Sequence, residues 1–283
     1  MPQPGFDGLL VLALESRRAQ EMSKLIANNG GRPLVVLSVR ELPLESNTEA
    51  LDFARALDEG SFGMVVFMTG VGVRLLLRIV ELVYSSERFA ELLRSVTVVA
   101  RGPKPIAALR EIGVPINLTV PEPNTWRDLL ATLDERKHDF PLLGKRIALQ
   151  EYGVRNPELL TGLEQRGAKV TCVPVYEWTL PEDVRPLQEA VGAIVRGEVN
   201  VVLVTSSVQI RHLLAVAESM DSAGALRNAL AQTVVASIGP MTSEEIRQQG
   251  LTVDMESTRP KMGFMVREAA QACSTLLAKK IRE

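Results

Sequence analysis

Short runs of apolar residues alternate with amphipathic stretches along the whole chain. Runs such as MVVFM and VVLV carry no polar residue at alternate positions, as expected of strands covered on both faces. The pattern predicts strands at Leu9–Leu14, Leu34–Val39, Met64–Met68, Val96–Ala100, Ile116–Val120, Arg146–Gln150, Val170–Tyr176, Val199–Val204, Thr233–Ile238 and Val253–Met255. Helical spacing fills the intervals, which is the pattern of an α/β protein with mainly parallel sheets.

The pattern also repeats on a long scale. VVFMTGVGVRLLL followed by VTVVARGPKPIAALREIGV is matched by VVLVTSSVQIRHLL followed by TVVASIGPMTSEEIRQQGL. If Thr69 is set against Thr205, the distance to the next Gly-Pro (Gly102, Gly239) is one residue longer in the second copy. A further pair precedes these: LLVLALESRRAQEMSKLIANNGGRPLVVLSV and RIALQEYGVRNPELLTGLEQRGAKVTCVPV each read strand, polar turn, helix, glycine, strand. The duplication predicts two similar domains with parallel sheets flanked by helices. Ligands of open α/β sheets bind outside the carboxyl ends of the strands, so the expected active site is an interdomain cleft. SVRELPLESNT and VYEWTLPEDVRP carry prolines and mixed polar residues and read as crossings between domains. The division they suggest is residues 1–39 plus 178–283 for a discontinuous first domain, and 40–177 for an inserted second one. The repeats by themselves fit contiguous halves equally well.

Composition narrows the function classes. Of 283 residues, 46% are hydrophobic and 23% charged, which fits a globular chain, and aromatics at 4% leave the interior to aliphatic side chains. A net charge of -2 without a basic run argues against a nucleic-acid partner. No apolar run is long enough to span a membrane, and the opening MPQPGFDGLLVLALESRR lacks a basic n-region; a cytoplasmic chain with no membrane partner is expected. Cys172 and Cys273 have no metal or redox spacing, and His138 and His212 are the only histidines, so a zinc centre or a His-based triad has little raw material.

Candidate chemistry lies where strands give way to helices: EYGVRNPE, TGVG, RGPK with its partner IGPMT, and TSSVQ. A helix start presents unpaired N–H groups and the positive end of the helix dipole, and so holds anions without full positive charge. Thr69, Thr205, Ser206, Ser207 and Thr242 add hydroxyls there; for any one of them helix capping alone is the default reading. Gly70-x-Gly72 suggests a dinucleotide fingerprint, but the third glycine or alanine is missing, because position 75 is Leu75. Tyr176 ends an apolar run and offers a phenol that can donate a proton or stack on a ring; packing at a domain seam with the hydroxyl in water is the equal alternative. Trp178 reads as packing. Arg101 and Lys104 flank Gly102-Pro103, and Arg17 and Arg18 follow the first strand, where each can meet a carboxylate or simply face water.

At these residues the chain resembles the uroporphyrinogen-III synthase family: FMTGVGVRLLL, VARGPKPIAALREIG, LQEYGVRNPELLTGLEQRG, VPVYEW, VVLVTSSVQIRHLL and VASIGPMTSEEIRQQGL occur in the family's order over nearly the whole length. The resemblance implies two α/β domains joined by a two-stranded extended linker. It implies cyclisation of linear hydroxymethylbilane to uroporphyrinogen III, with loss of water and inversion of the last pyrrole ring, and no metal or organic cofactor. Tyr176 matches the family's candidate for assisting departure of the hydroxyl. Arg18, Thr69, Gly70, Val71, Gly72, Arg101, Gly102, Lys104, Tyr152, Thr205, Ser206, Ser207, Gly239, Met241 and Thr242 are the expected substrate-binding positions of a monomer. The chain departs from the common pattern at Pro105, where many members have Thr, and at Met241-Thr242, where a Thr-Thr pair is usual. A non-catalytic module of the same fold that binds a tetrapyrrole or another polyacid, and a sugar-phosphate or nucleotide-sugar enzyme, are the alternatives.

Overall fold

The computed structural model describes residues 5–15, 17–44, 47–151, 153 and 155–280. The chain opens with β1 (Leu10–Ala13), α1 (Ala19–Asn28) and β2 (Arg32–Val35), followed by β3 (Arg40–Pro43). A long segment comes next: α2 (Thr48–Asp58), β4 (Met64–Phe67), α3 (Gly70–Val80), α4 (Ser86–Arg94), β5 (Thr97–Ala100), α5 (Pro103–Glu111), β6 (Leu118–Thr119) and α6 (Trp126–Glu135). The second copy repeats this order. It has β7 (Arg146–Gln150), α7 (Pro157–Gln165), β8 (Lys169–Val173) and β9 (Tyr176–Thr179), then α8 (Arg185–Val195), β10 (Val201–Val204), α9 (Ser207–Ser219), α10 (Ala223–Gln232), β11 (Val234–Ser237), α11 (Pro240–Gln248), β12 (Met255–Glu256) and α12 (Met262–Lys280).

Strand pairing decides how the copies are shared out. β1 pairs with β10 and β4 with β7, all parallel. The sheets run β12-β11-β10-β1-β2 and β6-β5-β4-β7-β8. The first βαβ therefore completes the sheet of the last long segment, and the second βαβ completes the sheet of the long segment just before it. Contiguous halves would have needed β1 beside β4. The two compact units are Met1–Arg40 with Thr179–Glu283, and Glu41–Trp178. The chain changes units within β3 and again within β9, and these two strands form a two-stranded sheet.

Each five-stranded sheet is buried on both faces by alternate residues of the same strands. Val65 and Phe67 of β4 point into a core with Phe53, Phe62 and Phe89 from the α2–α4 side, while Met64 and Val66 meet Leu129, Leu133 and Leu163 from α6 and α7. In the other unit Val202 and Val204 of β10 face α8–α11, and Val201 and Leu203 face Met22 of α1 and Met265 of α12. That double coverage is why MVVF and VVLV show no alternation. Equivalent side chains also tie equivalent strands: Asn117 Oδ1 accepts the Val98 N–H at 2.7 Å, and Asp254 Oδ2 accepts the Val235 N–H at 2.7 Å. Asp254 also pairs with Lys280 at 3.0 Å, which fastens the end of α12. Among the described residues no helix is long and apolar enough to cross a membrane.

Beyond shifts at strand ends, two strand expectations change and one strand was not expected. The run expected at Leu34–Val39 pairs instead at Arg32–Val35; Pro33 is tolerated because β2 is an edge strand. The expected Val170–Tyr176 divides into β8 and β9, since Pro174 has no N–H for the ladder. β3, with sequence RELP, was hidden by its charge and its proline.

His212 of α9 secures the segment after β2. Ser38 is fully buried and its Oγ donates to the Leu14 carbonyl at 3.0 Å. His212 Nδ1 lies 2.7 Å from the Ser38 carbonyl, an acceptor only, so Nδ1 carries the proton. Burial of the imidazole, more than the nearby Arg211, holds its pKa below the ordinary 6.5, while the bond to Ser38 acts in the opposite direction. A depressed histidine pKa means that the unfolded chain takes up the proton first, so the stability His212 contributes is complete above about pH 6.5 and is lost as pH falls through the folded value. Urea midpoints should therefore fall as pH drops below about 6.5, and His212→Asn, which keeps a donor for Ser38, should flatten that fall.

Candidate functional site

The carboxyl ends of β4, β5 and β7 bring one group of the expected residues together. Thr69 caps α3: its Oγ1 accepts the Gly72 N–H at 3.0 Å. Its own N–H donates to Gln150 Oε1 at 3.2 Å, and its hydroxyl lies 3.2 Å from the hydroxyl of Tyr176. Tyr176 is 3% exposed. The Trp178 ring stands edge-on to it with centroids 6.4 Å apart. Trp178 in turn lies over Gly153, where a Cβ would come within 2.4 Å of the indole and φ is +70°; only glycine meets both conditions.

The glycines of TGVG serve this packing. A Cβ on Gly70 would stand 2.5 Å from the Lys104 carbonyl oxygen, so α3 and α5 touch backbone to backbone. A Cβ on Gly72 would stand 2.1 Å from Gln150 Nε2. Gln150 is fully buried, and its amide is oriented by Thr69 N–H on the oxygen side and by the Glu151 carbonyl on the nitrogen side. Farther along, Arg74 Nε binds Glu111 at 3.0 Å, and the guanidinium holds that carboxyl below the usual range. The space beside these two glycines is filled by Lys104 and Gln150.

The other unit builds the same corner from different residues. Ser206, not Thr205, is the residue preceding α9, so Thr69 corresponds to Ser206 and the spacing to the following Gly-Pro is equal in both copies. The shift by one arises because Thr205 and Ser206 both suit a cap. Ser207 Oγ donates to the Met241 carbonyl at 3.1 Å, the counterpart of Gly70 against Lys104. Gln209 stands where Gly72 stands, and its Oε1 accepts from Thr205 N–H at 2.7 Å and from Ser206 N–H at 3.2 Å. By strand register Leu14 takes the place of Gln150. A carboxamide therefore holds the N–H ahead of the helix in both units, reaching in from the strand in one and from the helix in the other. Thr205 Oγ1 donates to Glu15 at 3.0 Å.

A family model described as uroporphyrinogen-III synthase HemD matches residues 20–267. The chain belongs to the uroporphyrinogen-III synthase family. It is 30% identical over 237 residues to a protein of Methanothermobacter thermautotrophicus provisionally named uroporphyrinogen-III synthase, covering 83% of this chain and 87% of that one. It is 27% identical over 257 residues to YjjA of Bacillus subtilis (strain 168), itself uncharacterized, covering 90% and 93%. A crystal structure of mutant uroporphyrinogen III synthase from the extremely thermophilic bacterium Thermus thermophilus is similar with a TM-score of 0.69 and 25% identity, over 96% of this chain and all of that one.

Within this family fold the remaining expected residues fall as follows. Gly102 and Gly239 precede α5 and α11 in extended conformation. Arg101 N–H donates to the Phe67 carbonyl at 3.0 Å. Thr242 is 4% exposed, and Met241 contributes its carbonyl to Ser207. Arg18 is exposed, with its guanidinium on Glu21 (Nε to Oε2, 2.6 Å). Tyr152 lies outside the described residues. Among the described residues the N–H groups of Gly70, Val71, Ser207 and Val208 meet no protein acceptor. The first turns of α3, α5, α9 and α11 carry no acidic residue, a feature they share with α8, α10 and α12, whereas those of α1, α2, α4, α6 and α7 do. No carboxylate of its own first turn offsets the positive end of any of these four helices, although Glu15 reaches Thr205 just ahead of α9.

Sequence reasoning missed Gln150 and Gln209. Gln209 was legible as the third residue after Ser206 in a Ser-x-x-Gln capping pattern; Gln150 showed only as a polar residue closing an apolar strand. The exchange between the copies gives a test. Gly72→Gln should destabilise the protein by about 1–3 kcal/mol through overpacking, and adding Gln150→Leu should recover at least half of that loss in urea unfolding, because the two sites share one space. Additive losses would break the equivalence.

Proposed function

We propose that the protein cyclises linear hydroxymethylbilane to uroporphyrinogen III, inverting the last pyrrole ring. The observation that supports this most is the Tyr176 hydroxyl held against Thr69 at a helix start, in a chain of this family. The substrate's eight carboxylates suit N–H groups and unmasked helix starts, which bind anions without making a protein basic. Gly70, Val71, Ser207 and Val208 are the proposed backbone donors, joined by Gly72, Gly102, Gly239, Met241 and Thr242 as the walls of the same loops, and by Arg18, Arg101 and Lys104 as cations. Thr205 and Ser206 contribute through hydroxyls, since their N–H groups are engaged by Gln209, while Thr69, its N–H engaged by Gln150, turns its hydroxyl to Tyr176.

In the proposed reaction the Tyr176 phenol gives its proton to the hydroxyl of the hydroxymethyl group. The C–O bond breaks with its electron pair on oxygen, water leaves, and the pyrrole nitrogen lone pair fills the vacated carbon. The substituted carbon of the last ring attacks this electrophile to form a spiro intermediate. One methylene bond of the spiro carbon then breaks, and the freed methylene recloses on the other carbon of the same ring, inverting it. Loss of that carbon's proton returns one proton to the phenolate, so the net change is one water lost. Orientation carries most of the acceleration, and about 7–11 kcal/mol is available to well-placed intramolecular reactions.

Supplied with hydroxymethylbilane synthase and porphobilinogen, the protein should give the type III isomer in excess over the spontaneous type I. Type I alone, with saturable uroporphyrin binding, would make it a binding module. Tyr176→Phe should lower turnover roughly 10²-fold, the lower end for a positioned acid, with uroporphyrin affinity retained; unchanged turnover removes Tyr176 from the acid role.

A further inference from the structure

We propose that Gln150 and Thr69 are positioning residues that set the direction of the Tyr176 phenolic proton, an inference that rests on the acid role proposed above. A threonine hydroxyl has one proton and two lone pairs. Thr69 Oγ1 gives one lone pair to the Gly72 N–H at 3.0 Å and stands 3.2 Å from the Tyr176 oxygen. With Thr69 as the donor of that contact, the phenolic proton is turned away from Thr69 and toward the group to be protonated. The bond then strengthens as the phenol becomes phenolate, because charged acceptors make the stronger hydrogen bonds. The opposite polarity would hold the proton back on Thr69.

The position of Thr69 depends on Gln150. Its carboxamide oxygen holds the Thr69 N–H at 3.2 Å, its nitrogen donates to the Glu151 carbonyl, and the whole side chain is buried in the space that the missing Gly72 side chain leaves open. On the other side of the phenol, Trp178 limits the ring through its edge contact. The second unit shows that this support is general to the corner while the phenol is not. Gln209 holds Ser206 in the same way, but the sequence of that unit contains no tyrosine. The device is therefore confined to the unit that carries the acid.

Tyrosinate absorbance tests this without turnover. The chain has three tyrosines, so subtraction of Tyr176→Phe isolates the Tyr176 signal. Glu151, buried nearby, and Glu177, exposed beside Tyr176, are present in every variant and cancel in the comparison. Thr69→Val should move the midpoint up by about one pH unit, a tenfold change in ionisation. Thr69→Ser should restore it, and Gln150→Leu should move it up by less. In the isomer assay Thr69→Val should lower kcat about tenfold, with KM little changed and Thr69→Ser active. A Thr69→Val midpoint at or below the parent value, or no rescue by Thr69→Ser, overturns the proposal; if Thr69→Val does not fold, Gln150→Leu decides by the same shift. A parent making only type I product refutes the reaction and leaves the titration to judge the positioning.

Discussion

The hydrogen bond from the Thr69 N–H to the buried carboxamide of Gln150 fixes the corner on which the site depends. An unpaired amide at that depth would cost about 1–3 kcal/mol, and the strand end leaves no backbone acceptor for it. Filling the need with a strand glutamine forces glycine at position 72, because a Cβ there would overlap the amide. The same crowding at the start of the helix, at Gly70 against Lys104, sets how closely α3 and α5 approach. Thr69 is then held by its N–H, its cap and its hydroxyl at once, and Tyr176 inherits that order.

The duplicated unit shows which parts of the corner are interchangeable. Glycine plus strand glutamine in one copy becomes helix glutamine plus Leu14 in the other, and both keep an amide oxygen on the N–H ahead of the helix. The contact between neighbouring helices survives as well, through glycine on a carbonyl in one and serine donating to a carbonyl in the other. What differs is the chemistry presented: a buried phenol at Tyr176 in one unit, and no tyrosine in the sequence of the other. The two copies thus keep the geometry of two helix starts while the phenol stands in one.

Much of this architecture was legible from residues whose environment is uniform. MVVF and VVLV are apolar throughout because both faces are covered, and the order of the repeated blocks pointed to two similar sheets. Elements whose environment is mixed were harder to read. RELP is a strand without an apolar face, Pro33 is permitted only because its strand lies at an edge, and Pro174 divides a run that hydropathy alone would join. In the site, Gly70-x-Gly72 suggested part of a dinucleotide fingerprint because sequence does not show what fills the space beside a glycine. Gln150 lies far along the chain from Thr69, and no local pattern connects them. The Thr205–Ser206 ambiguity arose because adjacent hydroxyl residues cap equally well until the helix start is seen.

The proposed reaction needs anion-binding donors, and the starts of α3 and α5 in one unit and of α9 and α11 in the other are proposed to receive carboxylates of a tetrapyrrole. Amide hydrogen exchange with and without uroporphyrin III measures this most directly. The claim predicts slowed exchange concentrated in residues 69–73, 102–106, 205–209 and 239–243, with the amides of Gly70, Val71, Ser207 and Val208 among the most affected. Binding that leaves those amides unchanged, or that slows exchange only elsewhere, such as along α6 and α7, would contradict it.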